Sequence, residues 1–183
     1  MPLNGVDMRE TPQQYIARIL GCLGTREPLD VLGSTAGTLA TLVGSRSPED
    51  LRWTTSPTRW SAVAIVAHLA DAEIVASYRI RMILASPGVA IQAFDQNAWA
   101  STFDYQRQHA PAAIGVFAPL REAWLSLVAN GGPDCLDRYG VHAERGQETI
   151  RHLLRLYAGH DLNHLQQIVR ILEERDRAAG PPT

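Results

Sequence analysis

Apolar residues recur at helical spacing along most of this chain, and the polar residues that interrupt them are the informative ones. Near the C-terminus, Ile150, Leu153, Leu154, Tyr157, Leu165, Ile168 and Leu172 fall on one face of a helix. Asp161 and His164 share that face, with His160 at its edge. Thr149 is the expected N-cap, and the pattern fades after Leu172 into Glu173-Glu174-Arg175-Asp176-Arg177. A second long pattern, capped by Ser61 and ended by Ser86-Pro87-Gly88, places Ala64, Ile65, His68, Ala72, Val75, Arg79, Met82 and Ile83 together.

The remaining segments predict further helices. Thr11-Pro12-Gln13-Gln14 opens one with a cap, a first-turn proline and a capping box, and Gly24 is a stop. Pro28 starts another through Leu32, Leu39 and Val43, weakened by Gly33 and Gly37, and Ser47-Pro48-Glu49-Asp50 predicts one short turn. Residues 86–110 read as a long crossover with a short helix over Asp95 to Thr102, supported by Phe94, Trp99, Phe103 and Tyr105. A helix over 111–128 is expected to kink or break at Pro119. Residues 136–147 have no periodicity; His142 there, like His109, is expected to be solvated. No strand pattern stands out. The fold class is therefore all-α, a four-helix bundle whose long crossover carries a short helix. The expected organisation is a tail over residues 1–10, one domain over 11–175, and a disordered tail over 176–183.

Composition narrows the classes. At 183 residues, with 45% hydrophobic and 20% charged residues, this is one ordinary globular domain. Net charge is −2, with arginines scattered among acids, so nucleic acid has no basic stripe to bind. The N-terminus lacks the pattern of a signal peptide, and no apolar run approaches membrane-spanning length, so a cytoplasmic protein with no membrane partner is expected. Cys22 and Cys135 form no close-spaced pair and read as reduced thiols.

The candidate chemistry lies in the histidines. His160 and His164, four apart, project side by side and can share one metal ion, here from the face that should be buried. The bland alternative is a pair of hydrogen-bonded packing residues. His68, in the middle of its own small apolar stripe, supplies a third ligand. Three imidazoles leave coordination positions free, as catalytic sites do, and favour zinc, nickel or copper. Asp71 is placed to accept the second ring N–H of His68. Both Asp71 and Asp161 are candidates for orienting a ligand or moving a proton, a surface acid, salt bridge or cap being the plain alternative.

Trp60-Ser61, His68-Leu69-Ala70-Asp71-Ala72-Glu73, Phe94-Asp95-Gln96-Asn97-Ala98-Trp99-Ala100 and His160-Asp161-Leu162-Asn163-His164 together resemble the DinB-like superfamily over roughly residues 12–172. The YfiT-like metal proteins and the bacillithiol- and mycothiol-dependent enzymes are among its relatives. The resemblance implies His68, His160 and His164 as ligands of a divalent metal, zinc or nickel, and a homodimer. It also implies a metal-dependent transferase or hydrolase acting on a small-molecule substrate, with a low-molecular-weight thiol as a further cofactor. One departure is Ala64, where relatives often carry Glu, which leaves the Ser61 capping box incomplete. The alternative function is a non-catalytic metal- or ligand-binding scaffold or sensor.

Overall fold

The computed structural model describes residues 10–180, and local sequence signals set most of its boundaries. Helix α1 (Pro12–Leu23) starts at Thr11, whose hydroxyl accepts the Gln14 N–H at 3.2 Å while the Gln14 side chain answers the Thr11 N–H at 2.8 Å. Gly24, at φ +59°, ends it in a conformation that side chains resist. Helices α2 (Pro28–Gly44) and α3 (Pro48–Arg52) follow, then the long α4 (Ala62–Ala85). Ser61 caps α4 through the Ala64 N–H at 3.3 Å, with no acid at the third position to complete the box. The short α5 (Gln96–Thr102) is capped by Asp95. Helices α6 (Ala110–Ala129) and α7 (Ile150–Ala179) complete the set, α7 starting at the expected cap, Thr149.

Helix α4 packs on α6, α6 on α2, α2 on α7 and α7 back on α4, a closed ring of four, with α1 laid against α7. Residues Ala62–Ala70 of α4 are buried on every side, which their small side chains permit. The packing of α1 on α7 is closer still. A Cβ on Gly159 would collide with the backbone carbonyl of Ile19, so only glycine admits this approach.

The observed fold departs from the expectations in four places. A three-stranded sheet forms: β1 (Val89–Ile91) runs parallel to β2 (Tyr139–His142), which pairs antiparallel with β3 (Gly146–Thr149). Strands of three or four residues are too short to show period-two alternation. Second, α7 continues to Ala179 instead of giving way to a tail at 176, anchored by ion pairs of Arg46 with Asp176 and of Arg175 with Asp50. Third, α6 runs unbroken through Pro119, its lost hydrogen bond outweighed by the buried Phe117, Arg121 and Trp124 around it. Fourth, α6 is, by length and composition, apolar enough to cross a membrane; here it is a bundle helix carrying a buried arginine. Cys22 and Cys135 are unpaired, as expected. Most of the expected tails, residues 1–9 and 181–183, lies outside the described residues.

Candidate metal centre

Because α4 and α7 pack directly, the face of α4 carrying His68 meets the face of α7 carrying His160 and His164. The three rings converge through one nitrogen each. Nε2 of His160 lies 3.2 Å from Nε2 of His68 and 3.1 Å from Nε2 of His164. His68 and His164 are buried, while His160 is partly buried. Nδ1 of His164 donates to Oε1 of Gln167 at 2.9 Å, which leaves its Nε2 lone pair free. Trp60 lies against His68 at 5.0 Å between ring centroids, and Phe94 stacks parallel to it at 6.3 Å.

Burial disfavours charge on all three rings. It holds His68 well below the usual histidine range, helped by the charges of His164 and His160. His164 is likewise lowered by burial and by His160. Burial, with the positive charges of Arg121 and Arg18, brings His160 down to about 4. Neutral rings turning lone pairs toward a common point leave that point short of positive charge. An ion about 2.0–2.1 Å from each nitrogen, in tetrahedral geometry, would set them about 3.3 Å apart. The observed 3.1 and 3.2 Å separations fit a divalent metal.

The two candidate carboxylates are elsewhere engaged. Asp71 does not orient His68, whose Nδ1 has no partner; it accepts the Tyr105 hydroxyl at 2.6 Å instead. Burial raises the Asp71 pKa against the pull of that hydrogen bond. Asp161 is buried and makes the salt bridge that was its plain alternative, accepting from Arg121 at 2.7 and 3.3 Å and from the Thr35 hydroxyl at 2.8 Å. Arg121 also forks onto Glu73 at 3.0 and 2.8 Å, and the Trp124 indole N–H donates to Glu73. The histidine centre therefore stands in front of a buried Glu73–Arg121–Asp161 cluster. Sequence reasoning missed that cluster, although Arg121 interrupts the apolar face of Phe117, Trp124 and Val128 much as His68 interrupts its own. Gln167, three residues after His164, was also readable as a helical neighbour.

A cavity of about 490 Å³ opens beside the centre, lined by His68 and His160 together with Arg79, His142 and Tyr157. His142 was expected in solvent; it is 2% exposed, because β2 pairs on both sides and turns it inward. Neither Asp71 nor Asp161 lines this cavity.

From residue 32 to residue 168, a span that holds all three histidines, the sequence matches the family model described as the DinB superfamily. The chain belongs to the DinB superfamily. Two proteins of Oceanobacillus iheyensis, both provisionally named metal-dependent hydrolases, are similar to this DinB-superfamily chain. One is 26% identical over 64% of this chain and 67% of its own length. The other is 26% identical over 71% of this chain and 75% of its own length. Among solved structures, YfiT from Bacillus subtilis, described as a probable metal-dependent hydrolase with an unusual four-helix bundle topology, superposes with a TM-score of 0.74. It shares 20% identity over 92% of this chain and 91% of its own, which establishes likeness of fold.

Proposed function

We propose that this DinB-superfamily chain is a divalent-metal-dependent enzyme acting on a small molecule, with zinc or nickel held by His68, His160 and His164. The observation that carries the reading is the convergence of three neutral Nε2 atoms, with two of the rings, His68 and His160, at the wall of a cavity. Of the two chemistries the sequence suggests, the names of the relatives favour hydrolysis over thiol transfer. When bound, a divalent ion would polarise a substrate carbonyl and make water a stronger nucleophile near neutral pH.

The protein's own residues divide the remaining work. Gln167 fixes the tautomer and the angle of His164. Trp60 and Phe94 hold the His68 ring and keep water from its outer faces. His160, the most open of the three, gives the centre its access to the cavity. In this reading Asp161 positions α7 through Arg121, and Asp71 secures the crossover through Tyr105, so both act as positioning residues. The test is the metal content of untagged protein purified without added metal. About one divalent ion per chain, lost in His160→Ala and His164→Ala while far-ultraviolet circular dichroism is unchanged, supports the reading. Wild-type protein that carries no metal and takes up neither zinc nor nickel in equilibrium dialysis overturns it.

A further inference from the structure

Among the described residues, four buried side-chain nitrogen or oxygen atoms have no hydrogen-bond partner: Nδ1 of His68, Nε of Arg79, Nε2 of His142 and the hydroxyl of Tyr157. All four residues line the one cavity beside the histidine centre. Buried polar groups in folded proteins are almost always partnered, so such a concentration points to a partner from outside the chain.

The charge balance sharpens the point. Arg121 is answered by two carboxylates, and Arg145, also at the cavity wall, forks onto the buried Glu148 at 2.7 and 2.9 Å. Arg79 is only 9% exposed, and among the described residues its one hydrogen bond runs from Nη2 to the backbone carbonyl of Gln92 at 2.6 Å. It forms no ion pair there. Water can satisfy a neutral donor, but a buried guanidinium without a counter-charge is costly to maintain.

The unpartnered groups that accompany Arg79 are donors. Nδ1 of His142 accepts the Glu144 backbone N–H at 3.1 Å, so the proton of the neutral ring sits on Nε2. Burial raises the Tyr157 pKa against the charge and hydrogen bonding of nearby Arg79, to which the hydroxyl can only act as acceptor. It therefore keeps its proton, and that proton lacks an acceptor. One positive charge without an ion pair and three unanswered donors therefore belong to residues of the cavity wall, where Asp95 and Glu144 oppose a doubly charged ligand. We propose that Arg79, His142 and Tyr157 form a subsite for the carboxylate of a singly charged acid, whose other end reaches the histidine centre.

The fold explains the juxtaposition. Parallel pairing of β1 with β2 sets His142 opposite Ile91, one residue before the Gln92 that holds Arg79. Tyr157 lies one turn before His160 on α7, and Arg79 lies on the face of α4 that carries His68. At about 1.5 Å of rise per residue, the subsite and the centre are separated along the helices by one to three turns. That span suits a flexible acid of several carbons. The inference rests on the proposed metal function for the reacting end alone.

The test uses the full chain stripped of metal by a chelator and exhaustively exchanged into fresh buffer, so that no ion can bind the probe. Sodium hexanoate, its uncharged amide hexanamide and inorganic phosphate are compared at equal ionic strength by calorimetry and thermal shift. Hexanoate is expected to bind and raise the melting temperature, with hexanamide and phosphate at least roughly ten-fold weaker. Arg79→Met should lose hexanoate binding by about ten-fold or more, yet melt no lower than wild type, because a buried unpaired charge has been removed. Equal binding of hexanoate and hexanamide, preference for phosphate, or an Arg79→Met protein that melts lower but binds hexanoate normally would each overturn the subsite. Should Arg79→Met not fold, the comparison of the three probes on wild type decides alone. A chain that holds metal but ignores hexanoate refutes the subsite and leaves the metal reading standing; one that binds hexanoate but never metal does the reverse.

Discussion

Replacing Arg121 with methionine probes the charged cluster behind the histidines. The guanidinium is 4% exposed and spends its five N–H groups on five hydrogen bonds: two to Glu73, two to Asp161 and one to the Leu32 carbonyl. Methionine fills most of the volume and keeps contact with the Phe117 and Trp124 rings, which lie 4.5 and 5.3 Å from the guanidinium carbon. The two carboxylates lose their counter-charge. Removing one partner of a buried ion pair costs about 3–5 kcal/mol, and two orphaned acids place Arg121→Met toward the upper end at pH 7. Protonation limits the loss. Burial already raises the Glu73 pKa in the presence of Arg121, and without it the carboxyl rises further. An acid whose folded pKa exceeds its unfolded value takes up protons preferentially in the folded state, so its penalty shrinks as pH falls. Urea denaturation of wild type and variant at pH 7 and pH 5 should therefore show a deficit of about 4 kcal/mol that narrows by roughly 1 kcal/mol or more at the lower pH. The Arg121 charge also helps hold His160 down, so in the variant His160 protonates more readily in the fold and loses less stability to acid, which narrows the deficit further. A deficit below about 1 kcal/mol at pH 7, or one that widens at pH 5, would refute the assignment of a buried, charge-balanced cluster.

Metal-free protein should lose stability as pH falls from about 6.5 toward 4. The unfolded chain protonates its histidines first, while His68, His160 and His164 stay neutral in the fold, His160 down to about 4. The slope approaches about 1.4 kcal/mol per pH unit per ring, partly offset by Glu73, and melts in a pH series that stay flat over this range would contradict it. Gly159→Ala should cost about 1–3 kcal/mol despite alanine's better helix propensity, because the added methyl meets the Ile19 carbonyl; a higher urea midpoint would show that α1 gives way freely. Apolar side chains left open on the adjacent α4 and α6, among them Ile74, Tyr78, Val116 and Leu127, are expected to bury in a homodimer, and light scattering that returns a monomer mass throughout the micromolar range would exclude it.

The helices and the three histidines were legible because both depend on period. Caps at Thr11, Ser61, Asp95 and Thr149 stand where local chemistry requires them, and the polar interruptions of two apolar faces marked the residues that meet. What was not legible depends on pairing between distant segments. Val89–Ile91 becomes a strand only because Tyr139–His142 lies alongside, with Gly140 leaving space for Ile91 and Ile83. His142, taken as a solvated loop residue, is buried by that pairing. Asp71 and Asp161 were placed on the correct helices, but their partners, Tyr105 and Arg121, come from other elements. Helical period carries no information about such partners.

The spacing of the histidine centre along the chain bears on how the protein is made. His68 and His160 are 92 residues apart, and closing a flexible loop of that length costs about 4 kcal/mol in chain entropy. Two of the three rings lie on α7, so a nascent chain released only as far as α6 presents a single histidine of the set. Docking of α7 is the event that creates the centre. A partly folded chain in which α7 has come away has no centre at all, and an ion held as proposed would cross-link α4 to α7 across the segment between them.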